Sequence, residues 1–229
     1  MILGRTIFFV LVLLLPASLL VSCRSTRIQD PEKQIALTFD DGPDSVYTAK
    51  VLAVLQRNHV HATFFLIGAA VEKYPLVVKK IESGGHCIGN HSYHHLNFWN
   101  LSCDQLMKNE LLRTQDLIFN LTGRKPRFYR PPYGYLLDSC EMNLRSKDYI
   151  ISRWDIDPRD WDIKNNSARS IESYIRNAAE DNCIILLHCG NGDRSKTVKA
   201  LKRIIHYYKG KNYHFVRLDE LLGTHAYFP

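Results

Sequence analysis

A chain of 229 residues with a formal net charge of +7 is long enough to form one large domain with a sizeable core. Its composition is that of a globular protein without low-complexity tracts or repeats, which argues against fibrous and disordered classes. The basic balance favours an anionic partner, such as a cell-wall polymer or lipid head groups. The cations are spread over many segments and form no nucleic-acid-binding module, so we expect no nucleic-acid partner.

The first 23 residues have the pattern of an export signal. Arg5 precedes an apolar run over residues 7–15 that Pro16 ends, and this run is too short for a membrane-spanning helix, which needs roughly 20 apolar residues. Cys23 resembles the lipid-carrying cysteine of a bacterial lipoprotein; an ordinary signal peptide and an uncleaved anchor are the alternatives. We therefore expect an exported envelope protein that is lipid-anchored to a bacterial cell membrane through Cys23.

The rest of the chain comprises a polar tether, residues 24–33, and one domain, residues 34–229. Apolar and β-rich segments predict strands at 34–39, 62–67, 87–89, 127–129, 149–154, 183–187 and 214–217. Apolar residues at helical spacing predict helices at 47–56, 76–82, 102–121, 136–146, 168–179 and 196–208, followed by a short terminal helix. This alternation implies a parallel sheet, closed or open, that is covered by helices, and a barrel of fewer than eight strands fits the length best.

Polar residues follow five of the predicted strands: Asp40 and Asp41, His91, Arg130, Asp157, and His188. In barrels of this type the carboxyl ends of the strands carry the active site, so these positions predict chemistry at one edge of the sheet. The adjacent carboxylates of Asp40 and Asp41 repel each other, which is relieved by a bound cation, a shared proton or exposure in a solvated turn.

The histidines of Asn90-His91-Ser92-Tyr93-His94-His95 are spaced by three and four residues, so a pair of them can converge on one metal ion. One Asp with two His would leave a coordination position open for water. An open position is typical of a catalytic zinc site rather than a structural one. At this point either His94 or His95 fits the pattern.

Five blocks in this order resemble the polysaccharide deacetylases of the NodB-homology type, carbohydrate esterase family 4. They are Thr38-Phe39-Asp40-Asp41-Gly42, His91-Ser92-Tyr93-His94-His95, Arg130-Pro131-Pro132-Tyr133-Gly134, Asp157-Pro158-Arg159-Asp160-Trp161 and Leu186-Leu187-His188. The resemblance implies a distorted (β/α) barrel of about seven strands. It also implies a metal-dependent hydrolase that removes N-acetyl groups from N-acetylglucosamine residues of a cell-envelope glycan, peptidoglycan or chitooligosaccharide.

Two other functions remain open. The same attack by water suits an O-acetyl esterase that acts on xylan or another acetylated polysaccharide. A non-catalytic glycan-binding envelope protein on the same fold is the third hypothesis, because a fold does not determine a function.

The resemblance makes Asp41, His91 and His95 the metal ligands and leaves His94 as a neighbour. The implied cofactor is a divalent ion, Zn²⁺ first, with Co²⁺, Ni²⁺ or Mn²⁺ as alternatives. Asp40 becomes the general base that takes a proton from the attacking water. A carboxylate beside the metal is well placed for that role.

The resemblance also pairs Arg130 with Asp40, which would keep this base ionised and oriented. It assigns the backbone N–H of Tyr133 to the oxyanion that forms when water attacks the acetamide carbonyl.

His188 becomes the general acid that protonates the leaving amine, and Asp157 is expected to orient it and favour its protonated form. Trp161 and Leu186 match positions that line the acetyl pocket and the sugar groove, with ordinary core packing as the alternative for Leu186. Asp160 is expected to be a helix cap or a surface residue and is left out of the catalytic set.

Five cysteines remain when Cys23 is set aside, and they lack the Cys-x-x-Cys spacing of a zinc ribbon. Export would permit one or two disulfide bonds, which the sequence does not pair. Cys189 follows His188 where many relatives carry an acidic residue. We expect its thiol near the mouth of the site, open to oxidation or metal binding.

Overall fold

The computed structural model describes residues 33–97 and 101–229. The export signal, the lipid site at Cys23 and almost all of the tether therefore lie outside the described residues. Within the described ranges, no helix combines the length and the apolar character that crossing a membrane requires.

Seven strands of the described chain form one sheet in which every pairing is parallel. They are β1 (Lys33–Gly42), β2 (Thr63–Leu66), β3 (Cys87–Asn90), β4 (Phe128–Tyr129), β5 (Ile150–Ile151), β6 (Cys183–His188) and β7 (Tyr213–Val216). Their order is β5-β4-β3-β2-β1-β6, and β7 pairs with the amino-terminal half of β1. The longest strand, β1, thus pairs with three neighbours, β2, β6 and β7.

The sheet curls until its two ends approach each other. The segment that follows β5 reaches β6, where Ile156 forms a parallel bridge with Ile185 and the N–H of Leu186 donates to the carbonyl of Ile156 at 2.9 Å. This near-closure confirms the expected distorted (β/α) barrel. The carboxyl ends of the strands consequently surround one shared depression.

Helices cover the outside of the sheet. They are α1 (Tyr47–Arg57), α2 (Gly68–Lys73), α3 (Pro75–Ser83), α4 (Cys103–Gln105), α5 (Arg113–Thr122), α6 (Asp138–Ser146), α7 (Ala168–Ala178), α8 (Ser195–Lys209) and α9 (Leu218–Leu221). A π-helix, Leu106–Leu112, joins α4 to α5, and a 3₁₀ turn covers Pro132–Gly134. The single helix predicted at 102–121 is therefore divided in three. Its last part, α5, ends at Thr122, and Gly123 caps it with a left-handed φ of 71°.

The main core lies between β1, β2, β6 and the helices. Ile35, Leu37 and Phe39 of β1 are fully buried, and Phe39 stacks on Phe64 with ring centroids 5.2 Å apart. Strands that are buried on both faces read as apolar runs in the sequence. The sequence therefore predicts β1 and β6 from their apolar runs.

One disulfide bond, Cys103–Cys140, joins the start of α4 to α6. Cys87, Cys183 and Cys189 are buried thiols. The expectation that Cys189 lies at the mouth of the site is wrong: it is fully buried, beneath Gly42 and against the hydroxyl of Thr48. Because burial raises the pKa of this thiol, it stays protonated and unreactive.

Candidate active site

The two adjacent carboxylates of β1 both face the depression at the carboxyl ends of the strands. In a regular strand neighbouring side chains point to opposite faces. Here the β1–β2 register shifts between Phe39 and Gly42, and Asp41 adopts a left-handed φ of 67°. Such an irregularity redirects a side chain, so Asp40 and Asp41 line the same cleft, both buried.

His91 and His95 meet Asp41 from the loop that follows β3. Asp41 Oδ1 lies 3.6 Å from His91 Nε2 and 3.3 Å from His95 Nε2. The Nδ1–H of His91 donates to the carbonyl of Arg130 at 2.7 Å, which leaves Nε2 facing Asp41. Burial lowers the pKa of His91 to about 3, so its imidazole is neutral, the form in which histidine binds metals.

The same three residues fit a divalent metal ion. One ligand atom from each of Asp41, His91 and His95 lies within 4.8 Å of the others. Among the described residues Asp41 Oδ1 has no hydrogen-bond partner although it is buried, which is costly for a carboxylate oxygen unless a cation neutralises it. One carboxylate and two imidazoles form a donor set that zinc accepts.

Arg130 binds the carboxylate of Asp40. It is fully buried, and its Nη1 donates to Asp40 Oδ1 at 2.9 Å and to Thr38 Oγ1 at 2.8 Å. Its remaining donors reach the carbonyls of Ser152 and Arg153 and the hydroxyl of Ser152. A guanidinium whose donors are all directed in this way fixes the orientation of the carboxylate that it contacts.

The pKa of Asp40 agrees only in part with the expectation that Arg130 keeps this residue ionised. Burial raises the pKa of Asp40 above its ordinary value, and the charge of Arg130, helped by those of His188 and His95, opposes this rise without cancelling it. A carboxylate with a raised pKa is a stronger proton acceptor once it is ionised. A cation beside Asp41 would favour the ionised form.

His188 lies beside Asp40 on the neighbouring strand, because the β1–β6 register pairs these two residues. The expectation that Asp157 orients His188 is wrong. The Nδ1 of His188 lies 2.7 Å from Asp160 Oδ1, and its backbone N–H donates to Asp160 Oδ2 at 2.9 Å. Asp160 is 3% exposed and also accepts from Thr197 Oγ1, so it is a buried partner and neither a cap nor a surface residue.

The charge of Asp160 decides the protonation of His188. Burial alone would lower the pKa of His188, but the charge of Asp160 and their hydrogen bond outweigh burial and raise the pKa to about 9. His188 is thus an imidazolium at neutral pH. With Nδ1 bound to Asp160, Nε2 is the nitrogen left for the cleft.

The walls of the cleft come from the remaining predicted residues. The cleft has a volume of ≈ 540 Å³, with Leu186 buried in its lining and Tyr133 and Trp161 exposed at its rim. The Tyr133 ring packs against that of His95, at 4.9 Å between centroids. Asp157 also lines the cleft, but its Oδ2 accepts from the indole N–H of Trp161 at 3.3 Å, so it holds Trp161.

Comparison with known proteins identifies the family. The polysaccharide deacetylase family matches residues 27–150. A Bacillus cereus protein named peptidoglycan-N-acetylglucosamine deacetylase is 40% identical over 198 residues, which cover 86% of this chain and 91% of that protein. The chain belongs to the polysaccharide deacetylase family.

Solved structures agree with this membership in the polysaccharide deacetylase family. The crystal structure of the Bc1960 peptidoglycan N-acetylglucosamine deacetylase, in complex with 4-naphthalen-1-yl-N-oxidanyl-benzamide, superposes with a TM-score of 0.83 at 35% identity. The match covers 86% of this chain and 92% of that one. The Xyl-CE4 domain of a multidomain xylanase from the hindgut metagenome of Trinervitermes trinervoides gives a TM-score of 0.77 at 36% identity, over 86% and 94%.

Sequence reasoning missed two further charged residues around this family site. Arg194 is 4% exposed, its Nη2 lies 3.9 Å from Asp41 Oδ2, and its Nε donates to the carbonyl of Gly190. Glu110 is buried beside the loop that carries the two histidines. Arg194 lies just before a helix and Glu110 within one, and neither forms part of the five blocks, so no sequence signal distinguished them from surface charges.

Proposed function

We propose that this protein is a divalent-metal-dependent N-deacetylase that acts on N-acetylglucosamine residues of a cell-envelope glycan, peptidoglycan or chitooligosaccharide. One observation carries the proposal. The β1–β6 register sets Asp40 beside His188, and both line the cleft that contains the Asp41–His91–His95 cluster, so the proposed base and acid would share one metal site. The proteins named as peptidoglycan deacetylases that resemble this chain support the choice of glycan.

Asp41, His91 and His95 would hold the ion, with Zn²⁺ as the first choice and Co²⁺, Ni²⁺ or Mn²⁺ as alternatives. A divalent ion at this site supplies positive charge that favours ionisation of the attacking water and polarises the carbonyl group. The Arg130 carbonyl fixes the His91 ring through Nδ1, which sets the direction of Nε2.

Asp40 takes the proton of the attacking water. The guanidinium of Arg130 binds Oδ1 of Asp40, so Oδ2, which lies 3.6 Å from His91 Nε2 beside the metal cluster, is the oxygen that accepts this proton. The water oxygen then forms a bond to the acetyl carbonyl carbon. The carbonyl oxygen gains negative charge, and we assign the backbone N–H of Tyr133 to its stabilisation.

His188 completes the reaction by giving its Nε2 proton to the amide nitrogen. The bond between this nitrogen and the carbonyl carbon breaks, acetate forms, and the glycan keeps a free amine. Asp160 holds the imidazolium in place through Nδ1 and stabilises its charge. Trp161 and Tyr133, exposed at the rim, offer flat apolar faces to a sugar ring.

Acetate release tests the proposal. Residues 24–229, loaded with zinc or cobalt, should release acetate from peptidoglycan or chitooligosaccharides, and chelation should abolish this release. Asp40→Asn keeps the size of the side chain but removes the base, so it should lower the rate by about 10²–10⁴-fold. Equal rates for the wild type and Asp40→Asn would refute the mechanism.

An O-acetyl esterase on xylan or another acetylated polysaccharide is the second candidate. The specific observation in its favour is the similarity to the Xyl-CE4 domain of a xylanase. An alcohol leaves more readily than an amine, so this reaction depends less on His188. Acetate release from acetyl-xylan without release from chitooligosaccharides would select it.

We also propose export and lipid attachment at Cys23, on the strength of the N-terminal sequence pattern. The Cys103–Cys140 disulfide bond supports export, because disulfide bonds persist in oxidising compartments. Wild-type protein should incorporate labelled fatty acid and sediment with membranes. Cys23→Ala should do neither; membrane attachment that survives this substitution would refute the lipid anchor.

A further inference from the structure

The metal-binding loop, residues 91–95, packs against the π-helix Leu106–Leu112. π-Helical segments are rare and occur frequently at functional sites. Asn90, directly before the loop, donates from Nδ2 to the carbonyl of Leu111 at 2.8 Å, and its Oδ1 accepts from the N–H of Ser92 at 2.9 Å. The backbone of the π-helix therefore contacts the point where the loop leaves β3.

Glu110 of the π-helix binds the middle of the loop. Its Oε2 accepts from the backbone N–H groups of Tyr93 at 2.9 Å and His94 at 2.8 Å, and its Oε1 lies 2.7 Å from Nδ1 of His94. Glu110 is 2% exposed. A carboxylate buried to this degree is tolerated because these donors satisfy it.

These contacts fall between the two histidines of the metal cluster. The loop backbone is strained on either side of them, with left-handed φ values of 66° at Ser92 and 58° at His95. Such conformations persist when the surroundings hold them in place. A single carboxylate that binds two consecutive N–H groups fixes the turn that separates His91 from His95.

We propose that Glu110 is a positioning residue that holds His91 and His95 at the spacing which metal binding requires. This role rests on the metal site of the proposed function. Glu110 acts through the backbone of the loop, and its contact with the half-exposed His94 ring is secondary. Loss of Glu110 should therefore weaken the affinity for zinc before it affects any step of the reaction.

The test measures zinc affinity of the full chain by competition with a chromophoric chelator, at a temperature well below the thermal midpoint. Glu110→Ala should weaken zinc binding by about 10–100-fold, the usual effect of removing a group that orients metal ligands. Glu110→Gln, which keeps one acceptor oxygen, should lose less. Acetate release by both variants should recover as zinc is raised to saturation.

Two variants serve as matched controls. Asn109→Ala alters an exposed neighbour on the same π-helix, and His94→Ala removes the ring contact but keeps both backbone N–H donors to Glu110. Both should bind zinc like the wild type. A Glu110→Ala variant that loses thermal stability but keeps wild-type zinc affinity would overturn the positioning role.

Should Glu110→Ala fail to fold, Glu110→Asp takes its place, because the shorter side chain keeps the charge but withdraws the carboxylate from the N–H groups of Tyr93 and His94. Unchanged zinc affinity in Glu110→Asp would overturn the role equally. A wild-type chain without zinc affinity would instead overturn the metal site of the proposed function. The two failures are therefore distinguishable.

Discussion

Two largely enclosed histidines at opposite ends of the sheet, one of them in the lining of the cleft, behave in opposite ways. His188, at the carboxyl end of β6, has its pKa raised to about 9, whereas His86, just before β3, has its pKa lowered to about 4. Burial disfavours the charged form at both positions. The pKa of His188 rises nonetheless because Asp160 lies against its ring. The Nδ1 of His86 instead accepts the backbone N–H of Ala62, and the charge of Arg217 adds to the effect of burial.

The cavities at the amino and carboxyl ends of the strands differ in size and in how their charged groups are paired. The cavity at the amino end is larger, ≈ 780 Å³ against ≈ 540 Å³. Arg127 and Arg217 in its lining contact the carboxylates of Asp148 and Asp219. At the carboxyl end Asp41 Oδ1 is buried without a partner among the described residues. Unsatisfied charge, rather than cavity size, therefore distinguishes the site of chemistry.

The largest expected difference between the two ends is in catalysis. His188→Gln removes the proton donor, so kcat/KM for acetate release should fall by about 10²–10⁴-fold. His86→Gln is the matched control, since it alters a buried histidine at the other end of the strands and should leave kcat/KM unchanged. Equal losses in both variants would mean that His188 has no role beyond packing.

The second expected difference is in stability. The pKa of His86 is about 4 in the folded protein and near 6.5 in an unfolded chain, so the unfolded chain binds more protons between these values. The free energy of unfolding should therefore fall as the pH drops from about 6.5 to 4, by up to about 3 kcal/mol from this residue. His86→Gln should flatten this dependence in urea unfolding curves; an unchanged slope would contradict the neutral state of His86.

The third prediction concerns Asp160, the carboxylate that raises the pKa of His188. As a general acid His188 must be protonated, so activity should fall as the pH rises through the pKa of this group. Asp160→Asn should move this alkaline limb to lower pH and reduce the rate at pH 8 by about thirtyfold if the pKa returns to near 6.5. Asp157→Asn, three residues away, should leave the alkaline limb of the pH profile in place. A shift of the limb in Asp157→Asn alone would instead show that Asp157 is the carboxylate that acts on His188, as the sequence suggests.

The smallest effect is expected at the rim of the cleft. Trp161 is 46% exposed there, and Trp161→Ala should raise the KM for a chitooligosaccharide by about fivefold through lost ring stacking, with little change in kcat. Tyr174→Ala, an aromatic residue that is 53% exposed on α7, should leave KM unchanged. Equal KM values in the two variants would show that the Trp161 ring does not contact the sugar.

The sequence predicted all seven strands, because each combines an apolar run with flanking turn residues. Two differ clearly in length: the first extends from the expected 34–39 to Lys33–Gly42, and the fifth shrinks from the expected 149–154 to Ile150–Ile151. Ser152 and Arg153 leave the sheet, and their carbonyls accept from Arg130. A contact with a distant guanidinium is not visible in local periodicity.

The metal ligands and Asp40 could be assigned because short motifs place them at strand ends. Asp160 could not be chosen over Asp157, since both lie in one loop and differ only in three-dimensional direction. Arg159 between them has a left-handed φ of 55°, and the two carboxylates contact different partners. The π-helix was not predicted because its seven residues, Leu106–Leu112, are too few for the apolar period to distinguish an i→i+5 helix from an i→i+4 helix.

The Cys103–Cys140 bond affects the unfolded chain more than the site. The 37-residue separation between its cysteines contains the π-helix, Arg130 and Tyr133. In the chain-entropy view a cross-link of this length removes unfolded conformations worth about 4 kcal/mol. Reducing the bond would therefore lower the fraction of molecules that are folded while each folded molecule keeps its rate constant. Total activity would then depend on the thiol–disulfide balance of the surroundings, although neither Cys103 nor Cys140 lines the cleft.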